Sequence, residues 1–527
     1  MEGSAPVSAL SGRPPLKSAG LSTALGLFAF SVLLSAARGF AAGLTPYDEA
    51  WFLQVAHRVT SGEILYRDVF FGVTPLSMQL TAAGVRLFGA EILVVKAVVG
   101  LCFALSVLLA ARINTQLGGP SGFTPILVLS LAALGRPEMA PYSALSTVFL
   151  LATMSAALRW HGAVRANPGQ GRRAAALLAA AGIAAGLSFA SKQNLGVYAA
   201  IALAVSVAVG SRDRRALSRA GIIAAAGFAL AAGITLIPIW LDGAAGPLLR
   251  YGLLNKTTYV ERAATTYLKE VTQRVGLLPA LSWHDRARVV YDLQRFVVPF
   301  LTGAALLAAW RRVARGERAT LAVVSAFVIA GFLGVFPKTD NEHLIHAMPL
   351  LIIGLIYGLR AARPPEAMWT RIGAGALVAW LGIGLALIAA APIAQMARGA
   401  MRVSSLPHFR GAWIPAVLED DAARRARMLT AAAAGERPFL LIPEAGMYYL
   451  LTGLKNPTPY DYPYVTTFGP RGERDVITSI EQGRITSVCF AARGPVALRP
   501  VEMARYVEER MVRGDDAGPC TLYRRRG

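Results

Sequence analysis

The sequence predicts a polytopic α-helical membrane protein of about eleven transmembrane helices, with a small C-terminal α/β domain on the outer face. Three observations carry this expectation. The 527 residues are 55% hydrophobic but only 16% charged, and mean hydropathy is +0.48; soluble domains are nearer a quarter charged. Apolar runs of about 20 residues, the length a bilayer core demands, recur along the chain. Loop cations alternate between dense and sparse from one loop to the next, as the positive-inside rule requires. A net charge of +22 would suggest nucleic acid in a soluble protein. Here the loop asymmetry accounts for it, and no nucleic-acid partner is expected.

Residues 1–19 read as a basic, Pro/Gly/Ser-rich cytoplasmic tail. Arg13 and Lys17 precede an apolar run of spanning length, so 20–42 reads as a retained first helix rather than a cleaved signal. Further spans are expected near 91–111, 123–135, 143–159, 174–190, 195–210, 220–241, 296–310, 319–336, 347–361 and 371–396. They make 20–397 a membrane domain with two long outer loops, 43–90 and 242–295. With the N-terminus in the cytoplasm, one set of loops carries Arg112, Arg159–Arg173, Arg212–Arg219, Arg311–Arg318 and Arg360–Arg371. The short loops on the other side carry one cation each: Arg136, Lys192 and Lys338. That asymmetry puts both long loops and residues 398–527 outside.

Within 398–527, segments 437–442 and 485–491 read as strands, 444–451 as a short helix and 501–512 as an amphipathic helix. Between them, 456–464 (NPTPYDYPY) is turn-rich and aromatic. Cys489 and Cys520 both lie in this region. They form a disulfide if it meets an oxidising compartment, and otherwise are two separate thiols.

Chemistry concentrates in the first outer loop, 44–89, LTPYDEAWFLQVAHRVTSGEILYRDVFFGVTPLSMQLTAAGVRLFG. It holds Asp48 and Glu49 at the bilayer edge, between two amphipathic helical patterns. An outer carboxylate suits a general base that takes a proton from an acceptor hydroxyl. The competing reading is that Asp48 caps the helix beginning near Glu49. Arg67-Asp68 reads as a structural ion pair or a substrate contact. Arg136, Lys192 and Lys338 end spans that pack near this loop, and separated cations facing acids suit an anionic, membrane-embedded ligand, phosphate first. Their alternative is lipid headgroup binding. Gln193 lies beside Lys192, and Glu138 beside Arg136. His343 and His346, with Asp340 and Glu342 near, have the i, i+3 spacing of a metal half-site, but no second ligand cluster accompanies them. Hydrogen bonding to phosphate or sugar is the preferred role, with a divalent metal left open and no other cofactor indicated. His57 reads as an interfacial residue. Walker, zinc, G-x-S-x-G and Rossmann motifs are missing from credible contexts, which removes support for cytoplasmic nucleotide chemistry.

These pieces resemble a known family. Asp48-Glu49 after a first helix, then Gly62-Glu63-Ile64-Leu65-Tyr66-Arg67-Asp68, Pro75 and Leu87-Phe88-Gly89, look like the GT-C superfamily of membrane glycosyltransferases. The branch they most resemble holds the protein O-mannosyltransferases and lipid A aminoarabinose transferases. Gly135-Arg136-Pro137-Glu138, Lys192-Gln193-Asn194, the segment from Asp340 to His346, and Pro443-Glu444 through Asn456-Pro457-Thr458 resemble its bacterial members. One departure stands at Val73-Thr74-Pro75-Leu76, where members often carry Lys-Pro-Pro. The resemblance implies an enzyme of the bacterial inner (plasma) membrane. It would move a sugar from a polyprenyl-phosphate donor to a glycan, lipid or protein acceptor, with inversion. It also implies Asp48 as base with Glu49 beside it; Arg136, Lys192, Lys338 and His346 on the phosphate; and Glu138 orienting the acceptor. The rival class, a flippase of lipid-linked sugars, favours inverted repeats and broken helices at the midplane, and the sequence has no evident repeat. A third reading is a catalytically silent scaffold with a sensing outer domain.

The orientation is directly testable. Alkaline phosphatase fused after residue 527 is expected to be active and a fluorescent-protein fusion there dark, in cells exporting the former only to the outer compartment.

Overall fold

The computed structural model describes residues 21–41, 44–119, 131, 141–166, 171–254, 257–362, 393–492 and 498–526, with isolated positions between 379 and 390. Eight helices among them are long and apolar enough to cross a membrane. Helix α1 (Leu21–Ala41) occupies the first expected span. The next elements are α2 (Asp48–Thr60) and α3 (Leu76–Phe88) in the first outer loop, then α4 (Ile92–Gln116), α5 (Pro141–Ala166), α6 (Gly171–Ser191), α7 (Gln193–Gly210) and α8 (Arg214–Leu241). The second long loop holds α9 (Thr257–Ala263) and α10 (Tyr267–Leu277). Three helices follow, α11 (Trp283–Arg312), α12 (Arg318–Leu333) and α13 (Asn341–Ala361). The expected tail 1–19 and the spans at 123–135 and 371–396 fall outside the described residues, except for isolated positions and 393–396.

One boundary differs from expectation. The second outer loop does not run to 295: α11 begins at Trp283, capped by the Ser282 hydroxyl, which accepts from Asp285 N. Its outer turns carry Arg286, Asp292 and Arg295, which read as loop by hydropathy. Yet Arg295 is fully buried, bonded to Asp292 at 2.7 Å and Asn341 at 2.8 Å. Paired charges let a helix continue where a hydropathy profile ends it.

Small residues set the membrane packing. A Cβ on Gly182 would sit 2.2 Å from Ala224 O, and one on Gly227 2.6 Å from Ala179 O. The backbones of α6 and α8 therefore touch, the arrangement small residues permit where lipid supplies no hydrophobic drive between helices.

The C-terminal region carries a two-stranded ribbon, β1 (Met401–Val403) with β2 (Trp413–Pro415), and helix α14 (Ala416–Ala433). Next come β3 (Phe439–Leu441), α15 (Ala445–Thr452), α16 (Val465–Glu481), β4 (Ser487–Phe490), α17 (Val501–Arg510), β5 (Met511–Asp516) and β6 (Thr521–Arg525). The four-stranded sheet has order β3-β4-β6-β5, with β3 parallel to β4 and the remaining pairs antiparallel. The Cys489–Cys520 alternatives resolve as a disulfide, with Cα atoms 5.4 Å apart, joining β4 to the turn entering β6.

Helix α2 is the joint between the membrane helices and this region. Its apolar stripe, Ala50, Phe52, Leu53, Val55 and Ala56, is buried in one cluster with Ala445, Met447, Tyr448, Tyr449 and Leu450 of α15. Gly446 makes the approach possible, because a Cβ there would lie 2.8 Å from Trp51 Cα. At the far end of α2, Arg58 donates to Asp461 (2.7 Å), Thr458 O (3.0 Å), Asp68 O (3.0 Å) and Glu63. Side-chain exposure is 6% for Arg58 and 0% for Asp461. Burial opposes the Arg58 charge, but Asp461 and Glu63 hold its pKa above the ordinary value.

Gly446→Val is expected to lower stability by about 1–3 kcal/mol through overpacking against Trp51. Thermal unfolding of the detergent-solubilised protein checks this, with Gly453→Ala, where a Cβ meets open space but φ is +67°, as a strain-only comparison.

Candidate active site

The sequence around α2 explains how its acids are presented. Asp48 and Glu49 occupy its first turn, where negative charge suits the helix dipole. Asp48 does not cap the helix. The N-cap is Tyr47, without a side-chain cap bond, and Asp48 is exposed. One residue on, helical rotation turns Glu49 inward. It is 5% exposed, pairs with Lys96 of α4 at 2.9 Å and accepts from Thr45 N at 2.9 Å. The expectation that Glu49 shares the catalytic role is therefore corrected: it anchors α2 to α4.

Asp48 faces a cavity of about 650 Å³ between the membrane helices and the outer segments. Thr45, Trp51, Phe70 and Val73 line it from the first loop; Tyr142 and Ser143 from α5; Lys192, Gln193 and Asn194 from the α6–α7 junction; Tyr259 from α9. Phe336, Pro337 and Lys338 precede α13, which adds Glu342, His343 and His346, while Tyr462, Thr466 and Thr467 come from the C-terminal region. A second, apolar pocket of about 50 Å³ between α4, α5 and α13 also reaches His346.

Each cation is held in place. Lys192 Nζ donates to Ser143 Oγ (3.1 Å) and lies 5.8 Å above the Tyr142 ring. Gln193 Nε2 donates to Gly252 O (2.5 Å) and Gly72 O (3.4 Å), tying both outer loops to α7. Lys338 sits 3.0 Å from Asp340. Its strand-like segment is held by the Thr265 backbone, which accepts from Thr339 N and Oγ1. Burial lowers the Lys338 pKa, but Asp340 more than offsets this and keeps the ammonium charged. His346 Nε2 is enclosed, with no hydrogen-bond partner among the described residues.

Asp340, expected on substrate, is instead the N-cap of α13, accepting from His343 N (2.9 Å). It also lies 2.6 Å from His343 Nδ1. Burial raises its pKa, but His343 and Lys338 hold the carboxyl well below the usual carboxylate range. Asp340 thus places Lys338 and His343 without lining the cavity.

Arg67 and Asp68 likewise do not line it. They pair at 2.9 Å, Asp68 accepts from Ile64 N, and Gly62 (φ +102°) and Tyr66 (φ +71°) take left-handed backbone around them. The Gly62–Asp68 motif is a turn built for shape, the structural alternative rather than the substrate contact. Arg136 and Glu138 lie outside the described residues. Among the described residues, no three His, Cys, Asp or Glu side chains are arranged to hold a metal ion, and His343 Nδ1 is already engaged by Asp340.

Sequence reasoning missed Tyr142, Tyr259 and Tyr462, and noted Glu342 only as a neighbour of the two histidines. Assigning Asp340 to the N-cap by its residue type would have released Glu342 for the cavity. The aromatic turn 456–464 was visible as a feature, but its contact with Asp48 was not. Tyr462 Oη donates to Asp48 Oδ1 at 3.0 Å. Burial, and then the charge of Asp48, push the Tyr462 pKa well above its ordinary value, so it stays a donor.

Membrane helices joined by loops that enclose a cavity, followed by a C-terminal α/β region, make up the GT-C fold of the solved structures described next, and the chain has that fold. It is similar to ArnT from Cupriavidus metallidurans bound to undecaprenyl phosphate, with TM-score 0.58 and 13% identity, covering 96% of this chain and 98% of that one. It is also similar to the archaeal oligosaccharyltransferase AglB from Archaeoglobus fulgidus in complex with an inhibitory peptide and a dolichol-phosphate (TM-score 0.50, 12% identity, 88% of this chain and 69% of that one). A third similar structure is the arabinofuranosyltransferase AftD from Mycobacteria (0.51, 16% identity, 96% of this chain but 40% of that longer one). The sequence matches no protein-family model and no curated protein.

The Glu49–Lys96 pair has a measurable consequence. Glu49→Ala leaves a buried ammonium without its carboxylate and is expected to cost roughly 3–5 kcal/mol. Glu49→Gln combined with Lys96→Met is expected to recover most of that in thermal unfolding.

Proposed function

We propose that the chain is a glycosyltransferase that moves a sugar from a polyprenyl-phosphate donor to an acceptor hydroxyl at the outer membrane face. One observation carries the reading: a single cavity presents Asp48 together with Lys192, Lys338 and His346. Asp48 accepts the proton of the acceptor hydroxyl. The freed oxygen bonds to the anomeric carbon from the face opposite the phosphate, and the bond from that carbon to the phosphate oxygen breaks. The electron pair leaves on the lipid phosphate, whose charge Lys192 and Lys338 balance, and the anomeric centre inverts. His346 Nε2, enclosed and without a partner among the described residues, suits a further hydrogen bond to the phosphate.

The likeness to ArnT and AglB structures that hold undecaprenyl phosphate and dolichol-phosphate supports a lipid-phosphate donor. Loop charge supports an N-terminus in the cytoplasm and residues 398–527 outside, as an α/β domain of a bacterial inner-membrane enzyme. Arg136 and Glu138 belong to the proposal by resemblance, as phosphate and acceptor contacts. The acceptor is a glycan, lipid or protein hydroxyl.

Mass spectrometry of envelope glycolipids and glycans is expected to reveal a sugar-modified species in cells carrying the wild-type chain. Asp48→Asn should reduce it by about 100- to 10,000-fold. Undecaprenyl phosphate binding by the purified variant should persist. An active Asp48→Asn protein refutes the base assignment. Lipid-linked sugar crossing liposomes without any acceptor would point to a flippase instead.

A further inference from the structure

The carboxylate of Asp48 is held from the far end of the chain. Tyr462, 414 residues later, donates its hydroxyl to Asp48 Oδ1 at 3.0 Å. What fixes Tyr462 is the same helix that carries Asp48. The neighbouring Asp461 is buried and accepts from Arg58 (2.7 Å) and Gln54 (3.4 Å) of α2, and from Asn456 (2.9 Å) of its own turn. The Tyr462 ring meets two others, with centroids 5.2 Å from Trp51 of α2 and 4.5 Å from Tyr464, the latter edge-on. Helix and turn therefore form a closed frame: Arg58 grips Asp461, Asp461 sets Tyr462, and Tyr462 reaches back to Asp48.

We propose that Tyr462 is a positioning residue for Asp48, occupying one carboxylate oxygen so that the other is presented to the acceptor hydroxyl. This rests on the reading of Asp48 as the base. A free carboxylate rotates about its Cβ–Cγ bond, and a base whose proton must be taken from one direction loses rate to that rotation. A neutral donor on one oxygen stops the rotation without neutralising the charge. The same cavity is lined by Glu342, Tyr142 and Tyr259 and by the cations Lys192 and Lys338.

Tyr462→Phe removes the hydroxyl and keeps the stacked ring. The variant is made in the full-length protein and assayed in membranes for the sugar-modified species that separates wild-type from Asp48→Asn cells. The expected result is a kcat about ten-fold lower with a KM for the lipid-linked donor within about two-fold of wild type. Undecaprenyl phosphate binding and thermal unfolding, unchanged in Tyr462→Phe, show the frame intact. Tyr462→Leu, which also removes the ring, should share the lowered kcat and unfold at a lower temperature. Wild-type kcat in Tyr462→Phe, with Asp48→Asn inactive, overturns the positioning role and leaves the base assignment standing. An active Asp48→Asn overturns both.

Discussion

The architecture depends on one buried ion pair. Arg58 and Asp461 are separated by 403 residues and meet at 2.7 Å with almost no solvent contact. A charge removed from water is tolerated only with its partner and a full set of hydrogen bonds. Arg58 therefore cannot sit under the C-terminal region unless Asp461 is there, nor Asp461 unless Arg58 is. Hydrophobic contact between α2 and α15 supplies area, but apolar surfaces slide at low cost. The ion pair and its hydrogen bonds to Asn456, Gln54 and Thr458 O supply register. Everything the cavity needs from the C-terminal region follows from that register.

The same logic governs the cavity walls. Glu49 neutralises Lys96, Asp340 holds Lys338 and His343, and Ser143 steadies Lys192. Most charges near the membrane edge thus have a partner fixed by the fold. Among the described residues, the Asp48 side chain meets a neutral phenol, and His346 Nε2 has no hydrogen-bond partner. The cavity thus sets a carboxylate with a neutral partner and an unpartnered imidazole nitrogen beside anchored cations.

Hydropathy made the membrane helices legible, because each span must hide its backbone in hydrocarbon. It misplaced the start of α11, where Arg295 and Asp292 satisfy each other inside the protein. Ionisable residues at span ends singled out Asp48, Lys192, Lys338 and His346, since such groups are costly there, and all four line one cavity. Glu49 was separable in principle. At helical spacing it shares a face with Phe52, Leu53 and Ala56, all buried, whereas Asp48 lies one step around. Tyr462 was not legible. Its neighbours Tyr460 and Tyr464 have the same residue type, and only the Asp461 anchor decides which ring reaches Asp48. β5 and β6 were missed because they are short, charged and half solvated, so no alternation stood out. The Cys489–Cys520 bond between β4 and the turn entering β6 shows that those strands are nonetheless fixed in place.

The distance in sequence between Asp48 and Tyr462 sets an order of assembly. Helix α2 leaves the ribosome early, and its acids are in position before most of the membrane helices exist. The turn that fixes Asp48 follows 414 residues later. A partly synthesised chain therefore holds Asp48 without the Tyr462 hydroxyl, and without the part of the cavity wall that Tyr462, Thr466 and Thr467 supply. The cavity is complete only when the C-terminal segment folds back onto α2, so the order of synthesis makes this wall the last to form.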